Sequence, residues 1–478
     1  MSGPPLWTTA AMIAAMRAES VGTLPQSIQG ISIDSRSLLL GEAFFAITGD
    51  SRDGHEFVQA ALNNGAGLAV VSAAKRAQMP KGQLLVVSDV LDGLRDLARA
   101  SRARSQAKII GVTGSVGKTS TKEALRLALS AMGETHASIA SYNNHWGVPL
   151  SLARCPGTAK FAVFEMGMNH AGEIAPLTKI VRPHVAIVTT IEPVHLEFFR
   201  SIEGIADAKA EIFLGIEPGG AAVLNRDNMQ FARLEKAAKA AGVARVVSFG
   251  EHEKADARLI KCALQPDNST VQARILGNDV TYKLGAPGQH LVQNSLAVLA
   301  AVVLAGADLA RAAIALAQLA PATGRGVRMT LDLPGGSALL IDESYNANPA
   351  SMRAALALLG QAPVGPRGRR IAVLGDMLEL GEKGAELHRG LKEPIVANAI
   401  DLVFCSGPLM QTLWQALPSE HRGGYAETSA ALEPAVLSAI RPGDAVMVKG
   451  SLGSKMGPIV KALTRTYSHA QATAPAQG

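Results

Sequence analysis

Cysteine is scarce in this chain, with three residues among 478. Cys155, Cys262 and Cys405 lie far apart, and none belongs to a C-x-x-C pair. An odd and scattered set of this kind argues against a disulfide framework and against a zinc site. We therefore expect a protein of a reducing compartment, the cytoplasm.

Long apolar runs and basic tracts are also missing. No uninterrupted apolar stretch reaches the ~18 residues that cross a bilayer. The first twenty residues, which include Arg17 and Glu19, match no signal peptide. The net charge of +6 is modest and spread out, and no Lys/Arg block is interleaved with aromatic residues. We expect neither membrane insertion nor a nucleic-acid partner, and the charge suits anionic small molecules.

The composition that is present indicates a well-packed globular protein. Hydrophobic residues make up 48% and charged residues 18% of the chain, and the length allows about three domains. Short apolar strands alternate with helical runs, which predicts an α/β fold with parallel sheets. We predict a small α/β N-terminal domain over residues 1–104, a central P-loop ATPase-type domain over 105–326 and a C-terminal Rossmann-like domain over 327–478.

The most informative stretch is I-I-G-V-T-G-S-V-G-K-T-S at residues 109–120. An apolar strand runs into a glycine loop that ends in Lys-Thr and opens a helix, although Val112 stands where the generic loop has its first glycine. Backbone N–H groups of such a loop bind polyphosphate, its lysine neutralises the outer phosphates and its threonine offers a hydroxyl to Mg²⁺. The predicted nucleotide contacts are Gly114, Ser115, Val116, Gly117, Lys118, Thr119 and Ser120.

Two further groups emerge at strand ends, where ligands of open α/β sheets collect. Glu165 ends the apolar strand 161–165 and is a candidate Mg²⁺ ligand. His195 follows the next apolar strand, where a structural role and a metal role are both open. Lys209 lies on a predicted helix with Asp207 and Glu211, and a solvated face with weak ion pairs is the simplest interpretation of that pattern.

Several polar clusters are candidates for substrate contacts. Amide side chains supply both donors and acceptors, although turn formation explains the asparagines equally well. His290 and Asn294 share a helical face and suit an adenine or ribose edge. Ser35 and Arg36 follow a strand and can hold a diphosphate or a uracil edge, whereas ordinary loop chemistry is the alternative. The amide-containing candidates are Asn143, Asn144, Asn169 with His170, Asn346 and Asn348.

The loop T-G-S-x-G-K-T resembles that of the Mur ligase family, ATP-dependent enzymes that form peptide bonds in cell-wall precursor synthesis. Further motifs of the family follow in order, from D-S-R at 34–36 through D-G-H-x-F at 53–57, N-N-x-x-G-x-P at 143–149 and E-x-G-x-N-H at 165–170 to K-G-S at 449–451. They look most like the members that add D-alanyl-D-alanine. Leu291 and Leu452 depart from the family, which usually has Asn and often has Arg there.

The resemblance implies an acid–amino acid ligase with ATP and Mg²⁺ as cofactors. UDP-MurNAc-tripeptide and D-Ala-D-Ala would be its substrates, and a monomer is expected. Lys118, Lys209, His195 and Arg325 would be catalytic, with Arg325 reaching the ATP phosphates. Lys209 would be carbamylated and would join Thr119, Glu165 and His195 as a metal ligand.

The same resemblance implies that the C-terminal domain brings the dipeptide, with acids such as Asp342, Glu343 and Asp376 positioning its ammonium or the ATP ribose. A sister ligase that adds a single amino acid is the nearest alternative, but the D-N-P-R signature of one such group is absent from the C-terminal domain. A nucleotide-switched ATPase that ligates nothing is the alternative from another class.

Overall fold

The computed structural model describes residues 4–49, 52–139, 141–194 and 196–467. Three α/β units follow one another along the chain, each built on its own sheet. Within the described ranges, no helix is both long and apolar enough to cross a membrane.

The N-terminal unit has a sheet in the order β2-β7-β6-β5-β4, parallel except for β2. Its helix α3 begins at the N-cap Asp89, whose side chain accepts from the amide of Asp92, and has Arg102 and Arg104 in the last turn. The elements are β1 (Trp7–Thr8), α1 (Thr9–Met16), β2 (Glu19–Val21), β3 (Ser27–Ile28), β4 (Ile31–Ser32), β5 (Ala43–Phe45), α2 (Val58–Asn63), β6 (Leu68–Ser72), β7 (Leu84–Val87) and α3 (Val90–Arg104).

The central unit has a sheet in the order β16-β15-β14-β13-β12-β11-β8-β10-β9. It is parallel from β9 to β14, and β15 and β16 extend it as antiparallel strands. The strands are β8 (Lys108–Thr113), β9 (Thr135–Ala137), β10 (Phe161–Glu165), β11 (Val185–Val188), β12 (Ala221–Asn225), β13 (Arg245–Gly250), β14 (Ala257–Leu264), β15 (Ser269–Ile275) and β16 (Asn278–Leu284). The helices are α4 (Lys118–Ser130), α5 (Gly147–Ala153), α6 (Ile174–Val181), α7 (Ile202–Ala210), α8 (Phe231–Ala240), α9 (Gln289–Leu304) and α10 (Leu309–Ala315).

Strand β8 lies inside this sheet, between β10 and β11. Ile110 and Val112 pack into the hydrophobic cluster on one face and Ile109 into the cluster on the other. A strand of a parallel sheet is covered on both faces, which explains its almost continuous apolar sequence. The loop after β8 therefore emerges beside the ends of β10 and β11.

The C-terminal unit has a sheet in the order β17-β18-β22-β19-β20-β21, parallel except for β17. Helix α11 begins with a capping box of Asn348 and Ser351 and has Pro349 in its first turn. The elements are β17 (Val327–Leu333), β18 (Gly336–Glu343), α11 (Pro349–Gly360), β19 (Arg370–Gly375), α12 (Gly384–Arg389), α13 (Lys392–Ala397), β20 (Leu402–Ser406), α14 (Met410–Ala416), β21 (Arg422–Ala426), α15 (Ser429–Ala439), β22 (Ala445–Lys449) and α16 (Gly457–Thr466).

The predicted three-domain α/β fold is confirmed, while the boundaries at 104/105 and 326/327 stay predictions. The antiparallel pairing of β14 with β15 and of β15 with β16 was not predicted, because the strands expected from the sequence alternate with helices. Every second residue of β15 is buried. This alternation is typical of a strand with one face in the core, and it could have indicated the strand from the sequence. Cys155, Cys262 and Cys405 are unpaired thiols.

Candidate active site

A cavity of about 610 Å³ lies between the carboxyl ends of the central strands and the loops of the C-terminal sheet. The loops after β8, β10 and β11 line one side, and the loops after β18, β19 and β22 line the other. The predicted site residues that line it are Ser115, Val116, Gly117, Lys118, Thr119, Ser120, Asn143, Glu165, Asn169, His290, Asn294, Arg325, Asn346 and Asn348.

The glycine loop adopts a backbone conformation that requires glycine at two positions. Gly114 has φ +144°, and a Cβ there would overlap the Thr189 hydroxyl at the end of β11. Gly117 has φ +84°, and a Cβ there would lie 2.5 Å from Asn294 Nδ2 on α9. A side chain is disfavoured at both positions by the backbone and by its neighbours. Gly114 shapes the loop without lining the cavity.

Lys118 opens α4 and folds back over the loop. Its Nζ donates to the carbonyl oxygen of Gly114 at 2.7 Å. Removal from water lowers the pKa of Lys118, the Glu165 carboxylate opposes this shift and the Arg325 guanidinium adds to it. Two cations and the positive end of a helix thus face the same part of the cavity, which is an arrangement that binds polyanions.

Glu165 and Thr119 place two side-chain oxygens, both candidate metal ligands, beside the loop. Thr119 Oγ1 donates to Glu165 Oε2 at 3.0 Å, and Asn143 Nδ2 donates to Glu165 Oε1 at 2.7 Å. Glu165 is buried. A hydroxyl and a carboxylate fit Mg²⁺, which prefers few protein oxygens and keeps waters and phosphate oxygens as its other ligands. In the described part of the chain, no three His, Cys, Asp or Glu side chains gather in a metal cluster.

Lys209 on α7 is buried, with 1% of its side chain exposed. It does not line the cavity. Burial and repulsion from Lys118 hold the pKa of Lys209 well below its ordinary value. The solvated-face interpretation is therefore wrong for Lys209, although it holds for Asp207, whose half-exposed carboxylate pairs with Arg233 at 2.9 Å.

His195, the remaining predicted metal ligand, lies outside the described residues. Two of the predicted substrate contacts, Asn144 and His170, take part in local structure away from the cavity. Asn144 Oδ1 accepts from the amide of Gly147 at 2.9 Å, so Asn144 forms a turn, as one of the two interpretations predicted. His170 is exposed and lies 3.0 Å from Glu173. Neither residue lines the cavity.

Ser35 and Arg36 lie in the N-terminal unit and do not line the cavity either. Ser35 is buried, whereas Arg36 is exposed and pairs with Asp34 at 2.7 Å. The bonds from Arg36 lower the pKa of Asp34 to about 2. The two residues are thus placed where only a ligand that extends beyond the cavity would meet them.

The linker between the central and C-terminal units is tied to the loop after β18. The amide of Gly326 donates to the Asp342 carbonyl at 2.8 Å, and that of Tyr345 donates to the Gly324 carbonyl at 3.1 Å. The Arg325 guanidinium lies 4.4 Å from the centre of the Tyr345 ring, within the range of a cation–π contact. Arg325 is thereby held at the cavity between the two units.

Of the three acids expected near the dipeptide or the ATP ribose, Glu343 lines the cavity, whereas Asp342 and Asp376 do not. The Asp342 carboxylate is buried and accepts from the Ser344 hydroxyl at 2.6 Å. Glu343 lines the cavity and pairs with Lys449 at 3.2 Å. Successive side chains of a strand point to opposite faces, so only one of two adjacent acids can face the cavity. Lys449 of the K-G-S motif and Glu192 also line it, although neither was assigned a role from the sequence.

Three family models of Mur ligase domains match successive segments of the chain. Residues 27–102 match "Mur ligase family, catalytic domain", residues 112–302 match "Mur ligase middle domain" and residues 328–452 match "Mur ligase, glutamate ligase domain". The UDP-N-acetylmuramoyl-tripeptide--D-alanyl-D-alanine ligase of Rickettsia prowazekii (strain Madrid E) is 32% identical over 431 residues, which are 90% of this chain and 94% of that relative.

Solved structures resemble the whole chain. MurF from Acinetobacter baumannii has a TM-score of 0.82 and 31% identity, covering 96% of this chain and 99% of its own. The MurF ligase of Thermotoga maritima in complex with ADP has a TM-score of 0.74 and 26% identity, covering 91% of this chain and 97% of its own. Because identity above 30% extends over nine-tenths of the sequence, the chain belongs to the Mur ligase family.

Proposed function

We propose that this chain is an ATP-dependent ligase that joins D-alanyl-D-alanine to UDP-MurNAc-tripeptide through an acyl phosphate. The observation that supports it most is the cavity in which the glycine loop after β8 faces the C-terminal loops. The names of its relatives and the ADP complex of the T. maritima ligase point to the same reaction. The product is the pentapeptide precursor of peptidoglycan.

The residues around the phosphate loop would carry out the first step by position and charge. The loop amides and Lys118 hold the triphosphate so that its outer phosphorus faces the tripeptide carboxylate. Lys118 and Arg325 stabilise the negative charge of the transferred group, in a site where water screens little. Thr119 and Glu165, with His195 and a carbamylated Lys209, would hold Mg²⁺, which when bound neutralises phosphate charge.

The three units divide the remaining work. The N-terminal domain, residues 1–104, would bind the UDP end of the sugar nucleotide through Ser35 and Arg36. The central domain, 105–326, binds ATP, with His290 and Asn294 near the nucleoside. The C-terminal domain, 327–478, would present the dipeptide through Asn346 and Asn348. Closure at the Gly-rich linker would exclude water from the acyl phosphate.

We also propose that the enzyme is a cytoplasmic monomer. Three free thiols and a substrate set built on ATP and a UDP-sugar fit the cytoplasm. We expect a monomer, because one chain supplies both sides of the cavity. Light scattering of the purified protein measures this directly.

Phosphate release tests the proposed reaction. Purified protein is mixed with ATP and Mg²⁺, and UDP-MurNAc-tripeptide and D-Ala-D-Ala are added singly and together. Release that requires both co-substrates supports the ligase. Release without either would indicate a bare ATPase or switch, and release with a single amino acid in place of the dipeptide would indicate a sister ligase.

A further inference from the structure

Glu192 is a carboxylate that lines the cavity and has no role in the steps above. It follows β11, and its backbone is held to the phosphate loop on both sides. The Glu192 amide donates to Ser115 Oγ at 3.0 Å, and Ser115 Oγ donates to the Glu192 carbonyl at 3.1 Å. The residue is therefore placed next to the point at which the phosphoryl group is transferred.

The other cavity-lining carboxylates among the described residues are differently placed. Glu165 accepts from Thr119 and Asn143, and Glu343 pairs with Lys449. Glu379 lies on an exposed part of the loop after β19. Glu192 is half-buried, and the Thr190 hydroxyl favours its ionised form. Thr190 Oγ1 accepts from Asn228 Nδ2 at 3.0 Å, which holds Thr190 in place.

The charges around Glu192 come from both sides of the cavity. Arg353, on the C-terminal helix α11, favours the ionised carboxylate, whereas burial has the larger effect and raises the pKa of Glu192. Besides the carboxylates, the charged or titratable groups that line the cavity among the described residues are Lys118, Arg325, Lys449, His290 and Tyr345. An acid in such surroundings can accept a proton more readily than a carboxylate in water.

The proposed reaction needs a proton acceptor at this place. The α-amine of a dipeptide is mostly an ammonium at neutral pH, because its pKa is about 8, and an ammonium has no electron pair with which to attack. We infer that Glu192 is the general base that takes this proton, an inference that rests on the proposed function. The freed nitrogen then forms a bond to the acyl carbon, the bond from that carbon to the phosphate oxygen breaks, and phosphate leaves with the electron pair. The second proton that the nitrogen loses as it becomes an amide goes to the departing phosphate.

Glu192→Gln tests the inference because it keeps the shape of the side chain and removes the proton acceptor. Two nucleophiles are compared with ATP and UDP-MurNAc-tripeptide present. D-Ala-D-Ala must lose a proton before it attacks, whereas hydroxylamine is uncharged near neutral pH and forms a hydroxamate directly. Glu235→Gln, which removes a surface carboxylate on α8, is the matched control.

We expect dipeptide ligation by Glu192→Gln to fall by about a hundredfold, with hydroxamate formation equal to that of the wild type. The deficit should shrink about tenfold per pH unit as the pH rises toward the amine pKa near 8, since the substrate then deprotonates itself. Glu192→Asp should restore part of the rate.

Three results would overturn the inference: unchanged ligation, an equal loss of ligation and hydroxamate, or a deficit that does not vary with pH. An equal loss would assign Glu192 to formation of the acyl phosphate. If the wild type itself makes no hydroxamate, the proposed function fails and Glu192 loses its role with it.

Discussion

The hydroxyl of Thr119 donates a 3.0 Å hydrogen bond to Glu165 Oε2, and this bond joins the phosphate loop to the end of the neighbouring strand β10. Glu165 pairs with Val112, next to the last residue of β8, so the end of β10 lies beside the start of the loop that leads to Thr119. A helix-opening hydroxyl and a strand-end carboxylate are 46 residues apart in sequence. Parallel pairing of β8 with β10 brings them together.

Glu165→Gln should weaken the binding of Mg²⁺ and leave the conformation of the phosphate loop unchanged. The amide keeps a hydrogen bond to Thr119 but lacks the charge that attracts a hard cation. We expect the Mg²⁺ concentration for half-maximal phosphate release to rise about tenfold or more, with the far-UV CD spectrum unchanged. A Mg²⁺ titration at saturating ATP measures this, and an unaltered titration curve would remove Glu165 from the metal site.

Lys118→Ala should abolish most turnover and leave the fold intact. Among the described residues, the Lys118 side chain bonds to two loop carbonyls of its own segment, so its loss removes charge from the phosphate site without opening a core. Loss of a preorganised charge of this kind costs about 10²–10³ in kcat. Lys239→Ala, an exposed lysine on α8, is the control. Normal phosphate release by Lys118→Ala would refute the placement of the triphosphate.

Gly117→Ala should impair ATP binding through the backbone. Alanine at φ +84° is strained, at a cost of about 1 kcal/mol, and its Cβ would meet Asn294 Nδ2 at 2.5 Å. The variant loop relieves this strain by leaving the conformation seen here, and ATP binding must restore that conformation. We therefore expect the Kd for ATP to rise about fivefold, as measured by calorimetry. Gly157→Ala introduces a methyl group into open space and should bind ATP normally. Equal affinities of the two variants would show that the loop tolerates a side chain.

Lys209 should react with CO₂ in the folded protein. Because its pKa is lowered by burial and by Lys118, the amine loses its proton at a lower pH than a free lysine does, and the neutral amine is the form that attacks CO₂. With ¹³C-bicarbonate, we expect a carbamate resonance that is absent from Lys209→Met. Removal of CO₂ should lower the ligation rate, and bicarbonate should restore it. A wild-type spectrum without this resonance would leave Lys209 an unmodified buried lysine.

The phosphate loop could be predicted because its chemistry is local. Strand, glycines, Lys118, Thr119 and helix are consecutive, and each shapes the next through backbone geometry. The same holds for Glu165, since a strand end in an α/β sheet has a known position relative to its neighbours. Residues whose role depends on orientation could not be assigned in this way. Asp342 and Glu343 are adjacent acids, and strand alternation sends only the second one into the cavity.

The sequence by itself determined the alternation of strands and helices, the phosphate loop and the family. These follow from short-range periodicity and from motifs of a few residues. Only the tertiary structure decided that Asp207 faces solvent while Lys209 is buried, and that Glu192 shares a cavity with the C-terminal loops. Burial and proximity depend on which elements pack together, and that packing joins residues hundreds of positions apart.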